Sequence, residues 1–285
     1  MPAELAAHSF AGTLAAQLAR PAGIAPALYW LGQAGFALDA GGYRLVIDPY
    51  LSDSLAEKYR GRTYPHERMM AAPVTPDGLG KVDLVLSTHQ HTDHMDPATL
   101  QPLLATRPDV KLVAPVAALD EALKRAAIGR DRLHLIDAGE TIAPLPGLRV
   151  TATRSAHETL ERDGAGHYRF LGYVIEIGGL RLWHSGDTVP FDGMVAEVAA
   201  LRPDIVLLPV NGRSTELLAN GVPGNLALGE AISIARDVGA KALIAHHFGM
   251  FAFNTEDPAA IDRAAETLTA PRLFRASLNT VYRWG

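Results

Sequence analysis

The 285 residues, of which 48% are hydrophobic, are enough for one large core. The formal charge of −5 and the pI near 6.1 argue against a nucleic-acid partner, because a phosphate-binding surface needs a clustered excess of lysine and arginine. Cysteine is absent, which excludes disulfides and thiolate metal sites, leaves histidine, carboxylate and water as metal ligands, and fits a cytoplasmic protein.

The N-terminal segment, residues 1–25, is rich in alanine and predicts a helical extension. A secretion signal is disfavoured because the segment lacks a basic start and because Glu4 and His8 interrupt its apolar run. We expect an amphipathic helix that ends near Arg20 and Pro21. No apolar stretch approaches the roughly 18 uncharged residues that a bilayer-spanning helix needs, so the sequence predicts no membrane span.

Strand-like segments dominate the chain after Pro21. The segments ALYWLGQAGFALDA and YRLVIDPY flank Gly41–Gly42, a dipeptide that supplies the positive φ of a tight hairpin turn. The polar residues 52–80 follow, with several prolines and no clear periodicity, and predict a lid-like loop. The apolar run VDLVLST then predicts a strand buried on both faces, and HQHTDHMDP leads from it into a helix.

Strands and helices alternate over the rest of the chain. A second hairpin, FLGYVIEIGGLRLWHSGD, turns at Gly178–Gly179, and the strands DIVLLPV and KALIAHH each precede a helix. Hairpins early in each half, followed by this alternation, predict an α/β fold in which two sheets pack face to face with helices outside. No linker or repeat divides residues 1–285, so we expect a single domain.

A cluster of possible metal ligands directly follows the buried strand VDLVLST. His89 and His91 are two residues apart in extended chain, so their side chains point the same way and can reach one ion. Asp93 and His94 lie beyond the bend and can reach a second ion. Borderline divalent cations favour this mixture of imidazole and carboxylate. Polar loop residues without a ligand role are the alternative, but three histidines and an aspartate within six positions favour a metal site.

Three later residues also follow apolar strands. His157 ends VTATRSAH, Asp187 lies in HSGDT and His247 ends ALIAHH. Taken singly, each could be a cap or a surface group. Together with the first cluster they supply the seven ligands that a two-metal site needs.

The motif HQHTDH resembles the H-x-H-x-D-H signature of the metallo-β-lactamase superfamily. The later pieces RSAH, HSGDT and AHHFGMF follow in the order that is typical of that family. The segments WLGQAGF, DPYLSD, LWHSGDT and HHFGMFAFNTEDP look most like its L-ascorbate-6-phosphate lactonase-like branch. The resemblance runs from about Tyr29 to the C-terminus and implies a four-layer αββα sandwich of two mixed β-sheets flanked by helices.

The resemblance also implies a role for each ligand. It assigns the first metal to His89, His91 and His157, the second metal to Asp93, His94 and His247, and the bridging position to Asp187. Strand alternation lets only one of the adjacent His246 and His247 bind metal, and the resemblance aligns the ligand with His247, the residue before Phe248, so His246 is not expected to bind metal. His184 is expected to orient ligands, as is His246, with a backbone-bonded buried histidine as the alternative for His184. The expected cofactors are two divalent ions, zinc or manganese, with iron as a further candidate.

The expected reaction is hydrolysis by a hydroxide that bridges the two metals. Asp93 and Asp187 are the predicted catalytic carboxylates, and Asp93 is expected to orient the nucleophile. The branch implies a small-molecule substrate, a lactone or ester of a small sugar acid, with or without a phosphate. The cations to consider for a phosphate are Lys58, Arg60, Arg62 and Arg213. The predicted substrate-binding or proton-donating residues are Arg62, Tyr64, His66, His167, Asn211 and Arg213.

Three other functions stay open at this point. A phosphodiesterase or nuclease of the same fold would use the same metals, but the sequence offers no basic exosite. A hydrolase similar to the phospholipase D that acts on N-acyl-phosphatidylethanolamine would need an apolar entrance, for which the candidates are Met69, Met70, Met250, Phe251 and Phe253. A non-catalytic metal-binding scaffold has no physical need for a bridging carboxylate. A homo-oligomer, with the N-terminal helix as interface, is also left open.

Overall fold

Two β-sheets form the centre of the computed structural model, which describes residues 3–285. The strands of the first sheet are β1 (Leu5–Ser9), β2 (Ala27–Gly32), β3 (Gly35–Ala40), β4 (Tyr43–Ile47), β5 (Leu84–Leu86), β6 (Lys111–Pro115), β7 (Leu133–Ile136) and β15 (Thr280–Trp284). The strands of the second sheet are β8 (Thr141–Leu145), β9 (Leu148–Arg154), β10 (Leu171–Ile177), β11 (Leu180–His184), β12 (Ile205–Pro209), β13 (Ala242–His246) and β14 (Arg272–Arg275).

Each sheet combines antiparallel and parallel pairing. The order of the first sheet is β1-β15-β2-β3-β4-β5-β6-β7, antiparallel as far as β4 and parallel from β4 to β7. The order of the second is β14-β13-β12-β11-β10-β9-β8, parallel from β11 to β14 and antiparallel for the rest. The parallel halves place the carboxyl ends of several strands at one edge, where loops can hold ligands close together.

Helices cover the outer faces of both sheets. They are α1 (Leu14–Leu18), α3 (Pro97–Ala105), α4 (Leu119–Ala126), α5 (Met194–Leu201), α7 (Leu228–Asp237) and α8 (Pro258–Thr267). The shorter helices α2 (Ser54–Lys58) and α6 (Thr215–Ala219) line a surface cavity instead, and short 3-10 turns span Asp77–Leu79, Val116–Ala118 and Arg130–Arg132. One hydrophobic cluster joins the inner faces of the two sheets and continues under α5, α7 and α8. A second lies between the first sheet and α1, α3 and α4. The predicted sandwich of two mixed sheets flanked by helices is confirmed.

The predicted N-terminal helix is wrong over its first half. Leu5–Ser9 form β1 at the edge of the first sheet, where Leu5 lies opposite Trp284 of β15. The helix is confined to α1, where the Thr13 hydroxyl accepts a hydrogen bond from the Ala16 amide. Alanine favours helix locally, but the free edge of β15 supplies backbone hydrogen-bond partners that outweigh this preference. Within residues 3–285, no helix has the length and apolar character to cross a membrane.

A buried arginine joins the first hairpin to the segments around it. Arg44 of β4 is 1% exposed and forms a bidentate ion pair with Asp39 of β3, at 2.7 and 2.9 Å. Its guanidinium also donates to the carbonyl oxygens of Leu79, at 2.9 Å, and Leu18. This one side chain therefore links the N-terminal segment and the end of residues 52–80 to the sheet.

We expect Arg44→Met to lower the free energy of unfolding by about 3–5 kcal/mol, because it leaves the Asp39 carboxylate buried without a partner. Urea denaturation measures the loss. The double variant Arg44→Met/Asp39→Leu removes both charges and should recover most of it. Equal stability of the single variant and the natural protein would contradict this role.

Candidate metal centre

The loop between β5 and α3 carries the HQHTDH motif. It begins where β5 ends, and a hydrogen bond from the Ser87 hydroxyl to the His94 carbonyl oxygen, 2.9 Å, closes it. His89 and His94 are fully buried, whereas His91 and Asp93 are partly exposed. The loop therefore presents its side chains from a fixed backbone towards a cleft.

Three loops of the second sheet supply the other predicted ligands. His157 follows β9, Asp187 follows β11 and His247 follows β13. These strands run in the same direction, so their carboxyl ends meet at one edge. His247 has a φ of 64°, a left-handed conformation that is uncommon for a residue with a side chain. Its amide donates to the Gln33 carbonyl oxygen at 3.1 Å, which holds this backbone in place.

The seven side chains gather into two groups that could each hold a metal ion. One consists of His89, His91 and His157, the other of Asp93, His94, Asp187 and His247, and within each group the ligand atoms lie within 4.8 Å of one another.

Asp187 lies between the two groups. Its Oδ1 is 3.2 Å from His94 Nε2 and 3.1 Å from His247 Nε2, while its Oδ2 is 3.8 Å from His157 Nε2. The two oxygens of one carboxylate thus face different groups.

The hydrogen bonding of these side chains fits a cation. Among residues 3–285, no hydrogen bond reaches four of their buried atoms: His89 Nε2, His94 Nε2, His247 Nε2 and Asp187 Oδ1. Buried polar atoms without partners cost free energy, and such atoms are rarely found together unless something else satisfies them. Imidazole nitrogen and carboxylate oxygen are suitable donors for a divalent ion of zinc, manganese or iron.

The protonation of His89, His157 and Asp187 also suits a cation. Burial lowers the pKa of His89 well below its ordinary value and that of His157 to about 4, so both rings keep free lone pairs at neutral pH. Burial opposes ionisation of Asp187, but the neighbouring His247 and His94 outweigh it and hold the pKa of this carboxyl well below its usual range. Neutral imidazole and ionised carboxylate are the forms that bind metal. Burial lowers the pKa of His94, but the carboxylates of Asp187, Asp48 and Asp93 outweigh it and hold this pKa well above its ordinary value, so His94 must release a proton to bind a metal.

Two ligands are oriented by residues that the sequence analysis did not single out. Asp48, directly after β4, accepts a hydrogen bond from His94 Nδ1 at 2.8 Å and is fixed by the amide and hydroxyl of Thr88 at 2.8 and 2.7 Å. Gln33 Nε2 donates to Asp93 Oδ2 at 2.9 Å. Asp48 lies in the quoted DPYLSD segment, directly after a strand, so its position was a usable signal. Gln33 also directly follows a strand, but the sequence does not show its contact with Asp93.

His184 and His246 are fully buried, and neither lines the cavity beside the two groups. His184 Nε2 donates to the Ala34 carbonyl oxygen at 2.8 Å, and its Nδ1 accepts from the Gly186 amide at 3.0 Å. Both ring nitrogens of His184 are therefore bonded to backbone groups, and the bond to Gly186 fixes the turn before Asp187. The fully buried ring of His246 packs edge-on against Phe36, with 5.4 Å between ring centroids.

A cavity of about 580 Å³ opens above the two groups. Phe170 closes one side, with its ring 5.0 Å from that of His89 and 5.1 Å from that of His157. The remaining walls combine apolar, cationic and acidic side chains, chiefly Leu55, Tyr59, His66, Phe251, Phe253, Lys58, Arg125, Arg169, Glu158 and Glu161. The volume lies in the range of small-molecule sites.

The sequence of residues 43–248 matches the family model described as "Beta-lactamase superfamily domain". The chain belongs to the metallo-β-lactamase superfamily. Its relatives include the UPF0173 metal-dependent hydrolase of Polynucleobacter asymbioticus, 30% identical over 74% of this chain and 73% of the relative. The UPF0173 metal-dependent hydrolase of Methanoculleus marisnigri is also 30% identical, over 86% and 91%. The chain is therefore a metal-dependent hydrolase of this fold.

A solved structure supports the fold independently. Igni18, a metallo hydrolase from the archaeon Ignicoccus hospitalis, is similar with a TM-score of 0.67 and 19% identity, over 90% of this chain and 97% of that one. An identity this low shows the fold alone.

Some of the residues predicted to bind substrate line a cavity, and the others do not. His66 lines the cavity, as does Lys58, and Arg62 and Tyr64 line a second cavity that adjoins it. The described lining of these cavities does not include His167, Asn211, Arg213 or Arg60.

Partners elsewhere explain three of these positions. Arg213 forms a bidentate pair with Glu230 of α7 at 2.6 and 2.8 Å, Asn211 accepts from Asn225 at 3.1 Å, and His167 Nδ1 lies 3.2 Å from Asp163. These contacts hold loops together, and the described lining of the two cavities includes none of the three residues.

The predicted apolar entrance is only partly present. Phe251 and Phe253 line the cavity. Met250 is 1% exposed and packs in a small cluster with Tyr50, whereas Met69 is 58% exposed on the surface. Sequence reasoning did not predict the cavity-lining Arg125 and Arg169, because neither is near a motif along the chain.

Proposed function

We propose that this protein is a binuclear metal-dependent hydrolase that cleaves lactones or esters. The observation that carries the proposal is the position of Asp187, whose two oxygens face the two ligand groups. A carboxylate so placed would hold two divalent ions together, and the ligands are those of the sequence prediction: His89, His91 and His157 for one ion, Asp93, His94 and His247 for the other.

Two bound divalent ions would lower the pKa of water towards neutrality and polarise the carbonyl under attack. The protein's own residues would fix where this happens. Gln33 holds the Asp93 carboxylate at the cavity floor, where it would orient the attacking oxygen. Phe170 shields the rings of His89, His91 and His157 from solvent on one side, which strengthens electrostatic interactions there.

The proposed substrate is a lactone or ester of a small acid of the sugar-acid kind. This rests on the resemblance of WLGQAGF, DPYLSD and HHFGMFAFNTEDP to the L-ascorbate-6-phosphate lactonase-like branch. A cavity of about 580 Å³ suits a molecule of that size. A phospholipase D-like activity is the second candidate, and the aromatic wall formed by Phe251 and Phe253 is the observation that favours it.

Metal analysis followed by a substrate screen tests the proposal. We expect two equivalents of zinc, manganese or iron per chain and hydrolysis of lactones or esters in preference to phosphodiesters and N-acylated phospholipids. A chelator should abolish turnover, and added zinc or manganese should restore it.

His89→Ala should lose one equivalent of metal and most of the turnover, because His89 belongs to the group with His91 and His157. The exposed His8 gives a matched control, and His8→Ala should behave like the natural protein. Full metal content and turnover in His89→Ala would refute the ligand assignment.

A further inference from the structure

Four residues other than glycine that have a left-handed backbone lie at the metal centre. Three of them, Gln33, Asp48 and His247, are candidate ligands or bond to candidate ligands, as described above. The fourth is Glu158, with a φ of 75°, directly after His157. A side chain makes this conformation costly, so it persists only where the surrounding structure holds it. The contacts that hold Glu158 therefore also hold the chain beside a candidate ligand.

The Glu158 carboxylate joins this part of the chain to a wall of the cavity. Its Oε1 accepts a hydrogen bond from the Gly224 amide at 3.0 Å. Gly224 ends residues 214–224, which we call the wall segment. Four residues of this segment line the cavity of about 580 Å³: Leu218, Gly221, Val222 and Pro223. Glu158, which lines the same cavity, therefore connects the chain that follows His157 to the wall segment.

The Gly224 amide is held in a fixed position. The backbone at Gly224 lies so close to Arg213 that a Cβ added there would collide with the Arg213 side chain and backbone. Arg213 Nη1 donates to the Asn225 carbonyl oxygen at 3.1 Å, and the Asn225 amide donates to the Gly212 carbonyl oxygen at 2.8 Å. A donor that is fixed in this way can hold the conformation of the residue that accepts from it, so Gly224 fixes Glu158.

The chain before His157 is held by a separate set of bonds. The Ala156 amide donates to the Thr188 hydroxyl at 3.1 Å, and the Ala156 carbonyl oxygen accepts from the Val189 amide at 2.8 Å. If residue 158 relaxed to a common backbone conformation, the chain after His157 would change direction while the chain before it stayed in place. The imidazole would then turn relative to the other two histidines of its group. The bond to Glu158 therefore acts on the side of the ligand that the other bonds leave free.

We propose that Glu158 is a positioning residue for the metal centre. The hydrogen bond from the Gly224 amide to its carboxylate keeps the backbone left-handed and so orients His157 towards the other histidines of its group. The same bond keeps the wall segment against the cavity. This inference rests on the proposed two-metal site and adds to it a residue that acts on one metal through His157 without binding the metal itself.

Competition between the cobalt(II)-loaded protein and a chelator tests the effect on the metal. Glu158→Ala removes the accepting carboxylate, and we expect it to bind one of its two cobalt equivalents roughly 10- to 100-fold more weakly, as for the loss of a residue that orients a ligand. Glu158→Gln keeps an accepting oxygen without the charge, and its cobalt affinity should stay within about twofold of the natural value. The visible absorption of bound cobalt depends on the positions of its ligands, so it should change in Glu158→Ala and not in Glu158→Gln.

Glu158→Gly separates the hydrogen bond from the backbone conformation, because glycine adopts a positive φ without steric cost. Its cobalt affinity should lie between those of Glu158→Ala and Glu158→Gln. Equal losses in the glycine and alanine variants would overturn the role of the left-handed backbone. Natural cobalt affinity in Glu158→Ala, even with lower stability in urea, would overturn the positioning role, as would a glutamine variant that loses cobalt like the alanine variant.

Glu161→Ala is the matched control, because it removes a carboxylate that also lines the cavity, three positions further along the same loop. Within residues 3–285, no hydrogen bond or salt bridge involves the Glu161 carboxylate, whereas that of Glu158 accepts from Gly224. We expect cobalt affinity within about twofold of the natural value. An equal loss in Glu161→Ala and Glu158→Ala would mean that the negative charge of the loop acts, and would overturn the inference.

Hydrogen exchange of the wall segment separates this contact from the proposed metal site. The Gly224 amide should exchange roughly tenfold faster in Glu158→Ala than in the natural protein, since it loses its acceptor, and at the natural rate in Glu158→Gln and Glu161→Ala. If the natural protein binds no cobalt, the proposed metal site fails, and with it the effect on His157. Unchanged exchange at Gly224 in Glu158→Ala would overturn the contact itself, whether or not cobalt binds.

Discussion

Asp187→Ala is expected to release bound metal and to lower kcat/KM by more than about a thousandfold, because this carboxylate faces both ligand groups. The side chain is nearly buried, and its loss leaves His94 Nε2 and His247 Nε2 without the oxygen that lies between them. The group of His89, His91 and His157 contains no carboxylate of its own. Metal content by mass spectrometry and steady-state turnover measure the effect.

Asp192→Ala is the control for Asp187→Ala. Asp192 is an exposed aspartate five positions further along the chain and belongs to neither ligand group. Its replacement should leave metal content and turnover unchanged, and circular dichroism should show both variants folded. Two equivalents of metal in a folded Asp187→Ala protein would rule out the bridging role.

The positions of the seven candidate ligands could be predicted because each follows an apolar run. A strand buried between layers ends at a sheet edge, and the parallel pairing of β4 with β5 and of β11 with β12 and β13 brings these ends together. The strand pattern along the chain therefore carried three-dimensional information about His89, Asp187 and His247.

The side chains that hold these ligands could not be predicted in the same way. Gln33 directly follows β2, but it is 60 positions from Asp93, and the sequence does not show that its amide donates to that carboxylate. For Arg213, the partner is the information that the sequence lacks. A guanidinium group suits a phosphate, but the guanidinium of Arg213 is paired with the carboxylate of Glu230, 17 positions away. Whether a charged side chain is free to bind a ligand depends on ion pairs with residues that are distant in sequence. A single sequence does not show which residues form those pairs.

The N-terminal segment shows the same limit for secondary structure. Residues 5–9 have helical composition, yet they pair with β15 at the other end of the chain. The partner strand decides the conformation of Leu5–Ser9, and it is the most distant part of the sequence.

Asp48→Asn is expected to weaken metal binding by roughly 10- to 100-fold, although Asp48 is not among the grouped ligands. The fully buried Asp48 carboxylate accepts three hydrogen bonds, one from His94 Nδ1 and two from Thr88. The bond to Nδ1 fixes the ring so that Nε2 points at Asp187. An amide has one accepting oxygen in place of two, so at least one of these donors loses its partner and the His94 ring can turn.

Competition with a chelator measures this effect. Of the two proposed metal equivalents, the one held by the group of His94 should leave first. The group of His89, His91 and His157 does not contain His94 and should keep its metal longer. Asp39→Asn separates the orienting role from a loss of stability, since Asp39 is also a buried carboxylate of the first sheet but binds Arg44 instead of a ligand. Both variants should unfold at lower urea concentration, and only Asp48→Asn should lose metal more readily. If the two variants compete equally with the chelator, the contact between Asp48 and His94 stabilises the fold without orienting the ligand.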